Sequence, residues 1–183
     1  MPRYVAFLRA INVGGHVVTM ERLRALFEEV GCTKVGTFIA SGNVIFESKS
    51  TNPESLASKV ERHLERALGY EVATCLRTEP QVAAIAAGSP FTARELESAQ
   101  AHNVAFLRRA APKNADRLLD AVRTEHDEFR VVGDEVYWLC QLKQSYSKFS
   151  GAKFERLLGT PATWRGLKML QRLAAKSPPA GAR

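Results

Sequence analysis

The pentapeptide VAFLR occurs twice in this chain, at residues 5–9 and again at residues 104–108. Each copy is an apolar run of the length of a β-strand. Two further pairs of segments agree in rhythm and in order, FIASGNVIF with FRVVGDEVY and ALGYEVAT with LLGTPAT. Three matched pairs in the same order predict an internal duplication, in which each half repeats one arrangement of strands and helices.

The first half has the pattern strand, helix, strand, strand, helix, strand. Its predicted strands are residues 4–11, 35–40, 44–47 and 71–77. The first helix is expected to begin after Thr19 and to end before Gly31, and the second begins at Asn52-Pro53 and ends at Gly69. The segment 41–43 is a turn signal that joins the second and third strands into a hairpin.

The second half repeats the pattern, with predicted strands at residues 104–108, 129–132, 136–142 and 160–163 and predicted helices at 113–122 and 149–158. Between the halves, residues 81–87 are expected to form a short helix, and 92–101 are either helical or irregular. An amphipathic helix is predicted at 165–176. Its apolar face would carry Leu167, Leu170, Leu173 and Ala174, and its basic face Lys168, Arg172 and Lys176.

These elements predict an α/β protein of the α+β kind. It would consist of two ferredoxin-like βαββαβ halves, each a sheet with helices on one face, and a C-terminal amphipathic helix. The predicted domains are the first half at residues 1–78, a helical linker at 79–102, the second half at 103–164, the C-terminal helix at 165–176 and a flexible tail at 177–183.

Composition and charge restrict the class of protein. The chain has 183 residues, of which 45% are hydrophobic and 25% are charged, as in soluble globular proteins. No apolar run approaches the roughly 18 residues that span a bilayer, and the start does not read as a signal peptide, so a cytoplasmic location is expected. The net charge is +7, but from residue 165 onward there are five basic residues and no acids, and the remainder carries only +2.

Several segments resemble an uncharacterised bacterial family, domain of unknown function 1697 (DUF1697): YVAFLRAINVGG, LRALFEEVGCTKVGTFIASGNVIFES, SKF and LLGTPATWRGLKML. The resemblance covers nearly the whole chain. It implies an α/β fold built from ferredoxin-like halves, and it implies no activity. The family usually reads Thr-x-Arg-Asn-Trp near the C-terminus. Here the Asn-Trp pair is replaced by Gly166-Leu167, so a role that depends on that pair is not implied for this protein.

The predicted strand order 4-1-3-2 places the loop that leaves the first strand beside the hairpin of the second and third strands. Amides, a hydroxyl and glycine N–H groups that converge there would suit a small polar or anionic group. The candidate ligand-binding residues are Arg9, Asn12, Gly14, Gly15, Ser41, Gly42 and Asn43. A structural interpretation stays open, because glycines permit tight turns and asparagines satisfy loop backbone groups.

Ser147 and Lys148 follow the last long strand, and with Arg165 they form a second candidate set that would bind an anion. The alternative is a helix N-terminus with a solvated lysine. His16 lies beside the first candidate site and is either an acid–base group or a solvated loop residue.

Motifs for other chemistries are missing from the sequence. Gly-x-Gly-x-x-Gly and Gly-x-x-x-x-Gly-Lys-Ser/Thr do not occur, and no Gly-x-Ser-x-Gly elbow is present. The four histidines and three cysteines are not at metal-ligand spacing, and the cysteines form no Cys-x-x-Cys pair. We therefore expect no cofactor, no metal site and reduced, buried thiols.

The leading hypothesis is a small-ligand-binding or regulatory protein that uses the loops around Asn12 and Asn43. The alternative is weak nucleic-acid binding through the basic C-terminal helix, and an enzyme of unidentified class stays open. The third strands, NVIFES and EVYWLC, do not match the RNA-recognition signature. Tyr137 and Trp138 would alternate faces, so at most one of them could stack on a base.

Overall fold

The repeated pentapeptide contributes an interior strand to each of two sheets. The structure is a computed structural model that describes residues 1–39 and 42–176. Of the predicted features, Ala40 at the end of the second strand, Ser41 of the candidate site and the tail at 177–183 lie outside the described residues. Unit 1 comprises Met1–Ala83 and the chain from Leu173 onward, and unit 2 comprises Ala84–Arg172.

Unit 1 has the predicted order of elements. They are β1 (Arg3–Leu8), α1 (Met20–Glu29), β2 (Thr33–Thr37), β3 (Asn43–Glu47), α2 (Pro53–Leu68) and β4 (Thr74–Thr78). The sheet is antiparallel with the order β2-β3-β1-β4, which confirms the predicted order. Thr19 and Asn52 cap the two helices through their side chains, and Gly69 ends the second helix in the left-handed conformation, as predicted.

Unit 2 repeats this sheet with the order β6-β7-β5-β8. Its elements are β5 (Ala101–Leu107), α5 (Ala115–Leu119), β6 (Asp127–Val132), β7 (Glu135–Cys140), α6 (Gly151–Leu158) and β8 (Ala162–Gly166), with a 3₁₀ turn at Gln144–Tyr146. The elements outside the two repeats are α3 (Glu79–Ala87), α4 (Ala93–Glu97) and α7 (Leu167–Lys176). The fold is therefore α+β, with two four-stranded antiparallel sheets, each with helices, and a C-terminal helix.

Alternate residues of the central strands form a core beneath the helices of each unit. In unit 1 the buried cluster includes Tyr4, Ala6, Leu8, Leu23, Phe27, Val60 and Leu64. In unit 2 it includes Ala105, Leu107, Leu119, Trp138, Phe154 and Leu158. The two copies of the pentapeptide thus direct matching positions, Ala6 and Ala105, into separate cores.

A carboxylate in each unit holds the start of the last strand. Glu61 Oε1 on α2 accepts a hydrogen bond from the Thr74 N–H at 2.8 Å. Glu155 Oε1 on α6 accepts one from the Ala162 N–H, also at 2.8 Å. Thr74 begins β4 and Ala162 begins β8, so the two contacts occupy matching positions and support the duplication.

A lysine in each unit also recurs. Lys59 Nζ on α2 donates to the backbone oxygen of Val30 at 2.8 Å. Lys153 Nζ on α6 donates to the backbone oxygen of Ala121 at 2.7 Å. Each lysine therefore binds a carbonyl just after the preceding helix, where the helix dipole favours a cation.

Two predicted elements, the first strand and the helix at 113–122, have wrong boundaries for reasons that lie in the backbone. The first strand ends at Leu8 rather than at residue 11, because Ala10 takes a positive φ of 56° and turns the chain. Ile11 is buried as a turn residue, which apolar patterning does not distinguish from a strand residue. The helix predicted at 113–122 is α5 alone, and the chain continues through tight turns that end with Val122 N–H donating to Leu119 O at 2.9 Å.

The C-terminal helix begins two residues later than predicted. Arg165 and Gly166 are the last residues of β8, where Arg165 is opposite Val104 and Gly166 is opposite Asn103. Arg165 is 8% exposed and therefore does not belong to the basic face of α7. The predicted segment 92–101 divides into α4, which has a capping box at Thr92, and Ala101, which starts β5. Among the described residues, no helix combines the length and apolar composition that a membrane span requires.

Candidate functional site

The loop after β1 and the hairpin of β2 and β3 are adjacent, as the strand order predicts. The Leu8 N–H donates to Gly42 O at 2.9 Å. A Cβ atom at Gly42 would lie 2.6 Å from Ile11 Cγ2 and 3.1 Å from Leu8 Cβ, and φ is +77° there. Gly42 therefore permits a close approach of two segments, which supports the structural interpretation of this glycine.

The two asparagines of the predicted site hold the backbone of their own loops. Asn12 Oδ1 accepts from the Val18 N–H at 2.7 Å. Asn43 is fully buried, and its Nδ2 donates to Phe38 O at 2.8 Å. Asn43 thus closes the hairpin from inside, while the exposed Asn12 lies on the solvent side of the loop.

The remaining candidates of the first site lie on the exposed part of the loop. Arg9, Gly14 and Gly15 are exposed, and both glycines have positive φ with open space where a Cβ would be. The His16 ring stacks on Tyr70 with ring centroids 3.8 Å apart, and the Tyr70 hydroxyl donates to Ile11 O at 2.9 Å. The turn after α2 therefore meets this loop, and these contacts stabilise the loop itself.

The second candidate set is distributed over different elements. The Ser147 hydroxyl lies 2.9 and 3.1 Å from the two carboxylate oxygens of Asp127, and Lys148 is exposed. Arg165 lies in β8, and its Nη1 donates to Thr163 Oγ1 at 2.7 Å. Binding of an anion at Ser147 would compete with the carboxylate that this hydroxyl already contacts.

Asp127 is ionised in this environment. Burial opposes the charge, but hydrogen bonds from Ser147, Thr124 and Trp138 outweigh it and lower the pKa of Asp127 below its usual value. The carboxylate holds Trp138 Nε1 at 2.9 Å within the core of unit 2. This cluster is part of the packing of unit 2.

A cavity of about 500 Å³ opens within unit 2, at a place that the sequence did not indicate. One wall is the segment that runs from the end of α4 into β5, and the other is the junction of β8 with α7. We call it the β5–α7 cavity. Its polar and junction residues are His102, Asn103, Gly166, Leu167, Lys168 and Gln171.

Backbone topology creates this cavity. Asn103 and Gly166 are partners across β5 and β8, and β8 runs directly into α7 without a loop. Gly166 has no side chain to occupy the space, and a Cβ at this position would have Asn103 Oδ1 as its nearest neighbour, at 3.8 Å. The first turn of α7 therefore meets the cavity, and the N–H groups of a first turn have no acceptor within their own helix.

The amides that line the cavity are weakly engaged. Asn103 is 8% exposed, and its Nδ2 donates to Gln144 Oε1 at 3.4 Å, near the limit for a hydrogen bond. Gln171 Nε2 donates to Ala86 O, also at 3.4 Å. Both side chains can turn toward a ligand at small cost.

His102 contributes a neutral ring to the wall. It lies 5.4 Å from Phe91 and 6.2 Å from Tyr137 between ring centroids. Its buried Nε2 has no hydrogen-bond partner within the described part of the chain. Burial lowers the pKa of His102, so the imidazole is uncharged at neutral pH. Lys168 is then the one formal charge among the described lining residues, none of which is a carboxylate.

The aromatic residues of β7 do not form a base-stacking surface. Trp138 lies in the helix-side core, and the Tyr137 hydroxyl donates to Ile85 O at 3.3 Å. Their exposed fractions are 2% and 4%, so neither ring is open to a nucleobase. Nucleic-acid binding through the exposed Lys168, Arg172 and Lys176 of α7 stays a prediction.

A deletion after Thr163 would remove the end of β8 together with α7, so a loss of binding would not identify the helix. Substitution of Lys168 and Arg172 by glutamine keeps the strand, and a salt titration of each variant then reports the phosphate contacts. Within the described residues, no group of three His, Cys, Asp or Glu side chains is placed to hold a metal ion.

Comparison with known proteins agrees with this architecture. Residues 1–137 match the family described as protein of unknown function (DUF1697). The chain belongs to this family. The matched DUF1697 region includes the loop at 12–15 and the strand that carries Asn103, and the β8–α7 junction lies beyond it. The resemblance seen in the sequence is thereby confirmed.

A solved structure shares the fold. The conserved bacterial protein SP0830 from Streptococcus pneumoniae superposes with a TM-score of 0.70 and 24% sequence identity, over 96% of this chain and 98% of that chain. No curated protein matches the sequence. The comparisons thus give the family and the fold of this DUF1697 protein and assign no specific function.

Proposed function

We propose that this protein binds a small polar ligand in the β5–α7 cavity. The supporting observation is the cavity itself, whose volume of about 500 Å³ falls within the range of small-molecule sites. A few convergent polar groups are typical of such sites, and Asn103, Lys168 and Gln171 are groups of this kind. The sequence also predicts small-ligand binding, in a protein expected to be cytoplasmic. The proposed site, however, is the β5–α7 cavity and not the loops around Asn12 and Asn43.

The proposed site differs from the predicted one because the Asn12 and Asn43 side chains already form hydrogen bonds with the backbone of their own loops. A ligand that bound the Asn43 amide would have to replace its buried hydrogen bond to Phe38 O. In the cavity, by contrast, the amide bonds are long and Gly166 leaves the space open. The loop site stays a prediction, and one experiment compares the two.

The experiment is a thermal-shift screen of small polar compounds against the wild type, Gly166→Val and Gly36→Val. Valine at 166 suits a strand and extends into the cavity. Gly36 lies in β2, and a Cβ at this position would meet nothing within 4 Å, so Gly36→Val is a matched substitution far along the chain from the cavity. A ligand at about 100 times its Kd adds about 2.7 kcal/mol of stability, which a shift in Tm reports.

We expect hits to raise the Tm of the wild type and of Gly36→Val and to leave that of Gly166→Val unchanged. Asn103→Ala opens the cavity further while removing the amide, so it should weaken the same hits even if Gly166→Val folds poorly. Hits that stabilise Gly166→Val and Asn103→Ala as strongly as the wild type would overturn the proposal. Hits lost instead in Asn12→Ala would assign the site to the loop after β1.

A further inference from the structure

We infer that the ligand of the β5–α7 cavity is a small organic carboxylate, whose anionic group is held by Lys168 at the start of α7. This inference rests on the proposed function and adds the chemical class of the ligand. It depends on the charge of the lining residues, on the position of the helix and on the amides that surround them.

The charge of the cavity selects against cations. Lys168 lines it, His102 is neutral, and no acidic side chain is among the described lining residues. A cation placed there would lose hydration and gain no oppositely charged partner among the described lining residues. An anion would gain a charged partner in Lys168, since an ammonium group donates three hydrogen bonds.

The helix adds to this preference. α7 has ten residues and starts at Leu167, which lines the cavity beside Lys168. The positive end of its dipole therefore lies at the cavity wall, in the same segment that carries the ammonium group. Lys168 is the second residue of the helix, so its ammonium group and the N–H groups of the first turn are donors from the same short segment.

A single positive charge fits a monoanion. Phosphate groups carry more charge and are usually held by several cationic or forked donors, and no arginine within residues 1–39 and 42–176 lines this cavity. Leu96, Ala99 and Leu167 supply apolar walls, and Gln100, Asn103 and Gln171 supply amides. The arrangement suits a carboxylate that carries a small, partly apolar body with one or two polar substituents.

The test uses matched pairs in which an uncharged amide replaces the carboxylate on the same body: benzoate with benzamide, nicotinate with nicotinamide, and indole-3-acetate with indole-3-acetamide. Binding is measured by ligand-observed NMR and calorimetry on the full chain. The variants are Lys168→Gln, which removes the charge, and Arg172→Gln, which removes an exposed charge one turn further along α7 and outside the lining.

We expect at least one acid to bind the wild type about tenfold more tightly than its amide. Lys168→Gln should erase that difference, Lys168→Arg should retain part of it, and Arg172→Gln should leave it unchanged. Added salt should weaken binding of the acid, because it screens the charge interaction, and should leave binding of the amide unchanged.

Two outcomes would overturn the inference. The first is that acids and amides bind the wild type equally and that Gly166→Val binds neither. This result would reject an anionic ligand and leave the cavity as a site for neutral ligands. An acid preference that persists in Lys168→Gln would place the anion elsewhere. If none of the three acids binds at about 10 mM, the carboxylate assignment is likewise rejected, and the broader screen still decides the proposed function.

Discussion

Gly42 and Gly15 show how two glycines of one predicted site differ in their surroundings. Both have positive φ, at +77° and +87°. At Gly15 a methyl group would meet nothing within 4 Å, whereas at Gly42 it would overlap the buried Ile11 side chain. Gly15 is therefore required only by its backbone conformation, whereas Gly42 is also required by close packing. The sequence does not distinguish these two requirements.

We predict that Gly42→Ala lowers the free energy of unfolding by about 2 to 4 kcal/mol, because strain from positive φ adds to overpacking. Gly15→Ala should cost about 1 kcal/mol, from the backbone conformation alone. Urea unfolding of both variants measures the difference. Equal costs at the two positions would show that Ile11 moves aside and that the close approach is not rigid.

The neutral His102 leads to a prediction about how stability depends on pH. Its pKa is lowered by burial, so between its ordinary value of 6.5 and the lower native value the unfolded chain binds a proton that the folded chain does not. Stability should therefore fall as the pH decreases below 6.5. Tyr137, which packs nearby, does not titrate in this range, since burial and Glu135 raise its pKa to about 12.

Urea unfolding at about pH 7.5 and about pH 5 tests this, because that interval contains the ordinary histidine pKa. The wild type should lose more stability over the interval than His102→Gln, which has no proton to take up. An identical loss in both proteins would mean that His102 is protonated as readily in the folded state as in the unfolded chain.

At the scale of elements, each unit uses the second helix of its repeat to position the last strand. The carboxylates of Glu61 and Glu155 accept the N–H groups of Thr74 and Ala162. Thr74 is fully buried and Ala162 is 5% exposed, so these N–H groups have little access to water. A buried donor that loses its acceptor costs more than the bond contributes.

We predict that Glu155→Ala lowers the free energy of unfolding by about 1 to 3 kcal/mol. Glu155→Gln should cost less than half as much, because its amide oxygen can accept the same N–H group. Chemical denaturation gives the energies, and hydrogen exchange at Ala162 reports the bond directly. If Glu155→Gln is as damaging as Glu155→Ala, the carboxylate acts through its charge rather than as an acceptor.

At the scale of the whole molecule, the reactivity of the three cysteines reports how often each unit opens. Cys32 and Cys75 lie in unit 1 and Cys140 in unit 2, all are buried, and none is in a disulfide. Burial raises the pKa of Cys32 to about 11, although Lys59 opposes the shift, and burial also raises the pKa of Cys140. All three thiols are therefore inaccessible in the folded protein, and those of Cys32 and Cys140 are also protonated.

We predict that iodoacetamide at about pH 8 labels all three thiols at least a thousandfold (~10³) more slowly in native buffer than in denaturant. Ser145→Cys adds a thiol at an exposed position and should label rapidly in native buffer, which controls for the reagent. Mass spectrometry of the peptides identifies each site. Rapid native labelling of Cys140 alone would show that unit 2 opens independently of global unfolding.

The fold could be predicted because its signals are local and repeated. Helix caps at Thr19 and Asn52, the left-handed Gly69 and the recurrence of VAFLR each act within a few residues. Boundaries failed where a tertiary contact or a backbone angle decided them, as at Ala10 and Arg165. The residue type alone does not show whether Ile11 extends the first strand or lies in the turn after it. It likewise does not show whether Arg165 ends a strand or starts a helix.

The sequence by itself determined the element order, the duplication and the family, because periodicity, caps and turns are encoded in consecutive residues. The tertiary structure alone decided where polar groups are available. It turned Asn43 inward to close a hairpin, and it brought Asn103 opposite Gly166, which lie 63 positions apart in the numbering. Such a cavity depends on strand pairing and on an absent side chain, and neither leaves a motif in a single sequence.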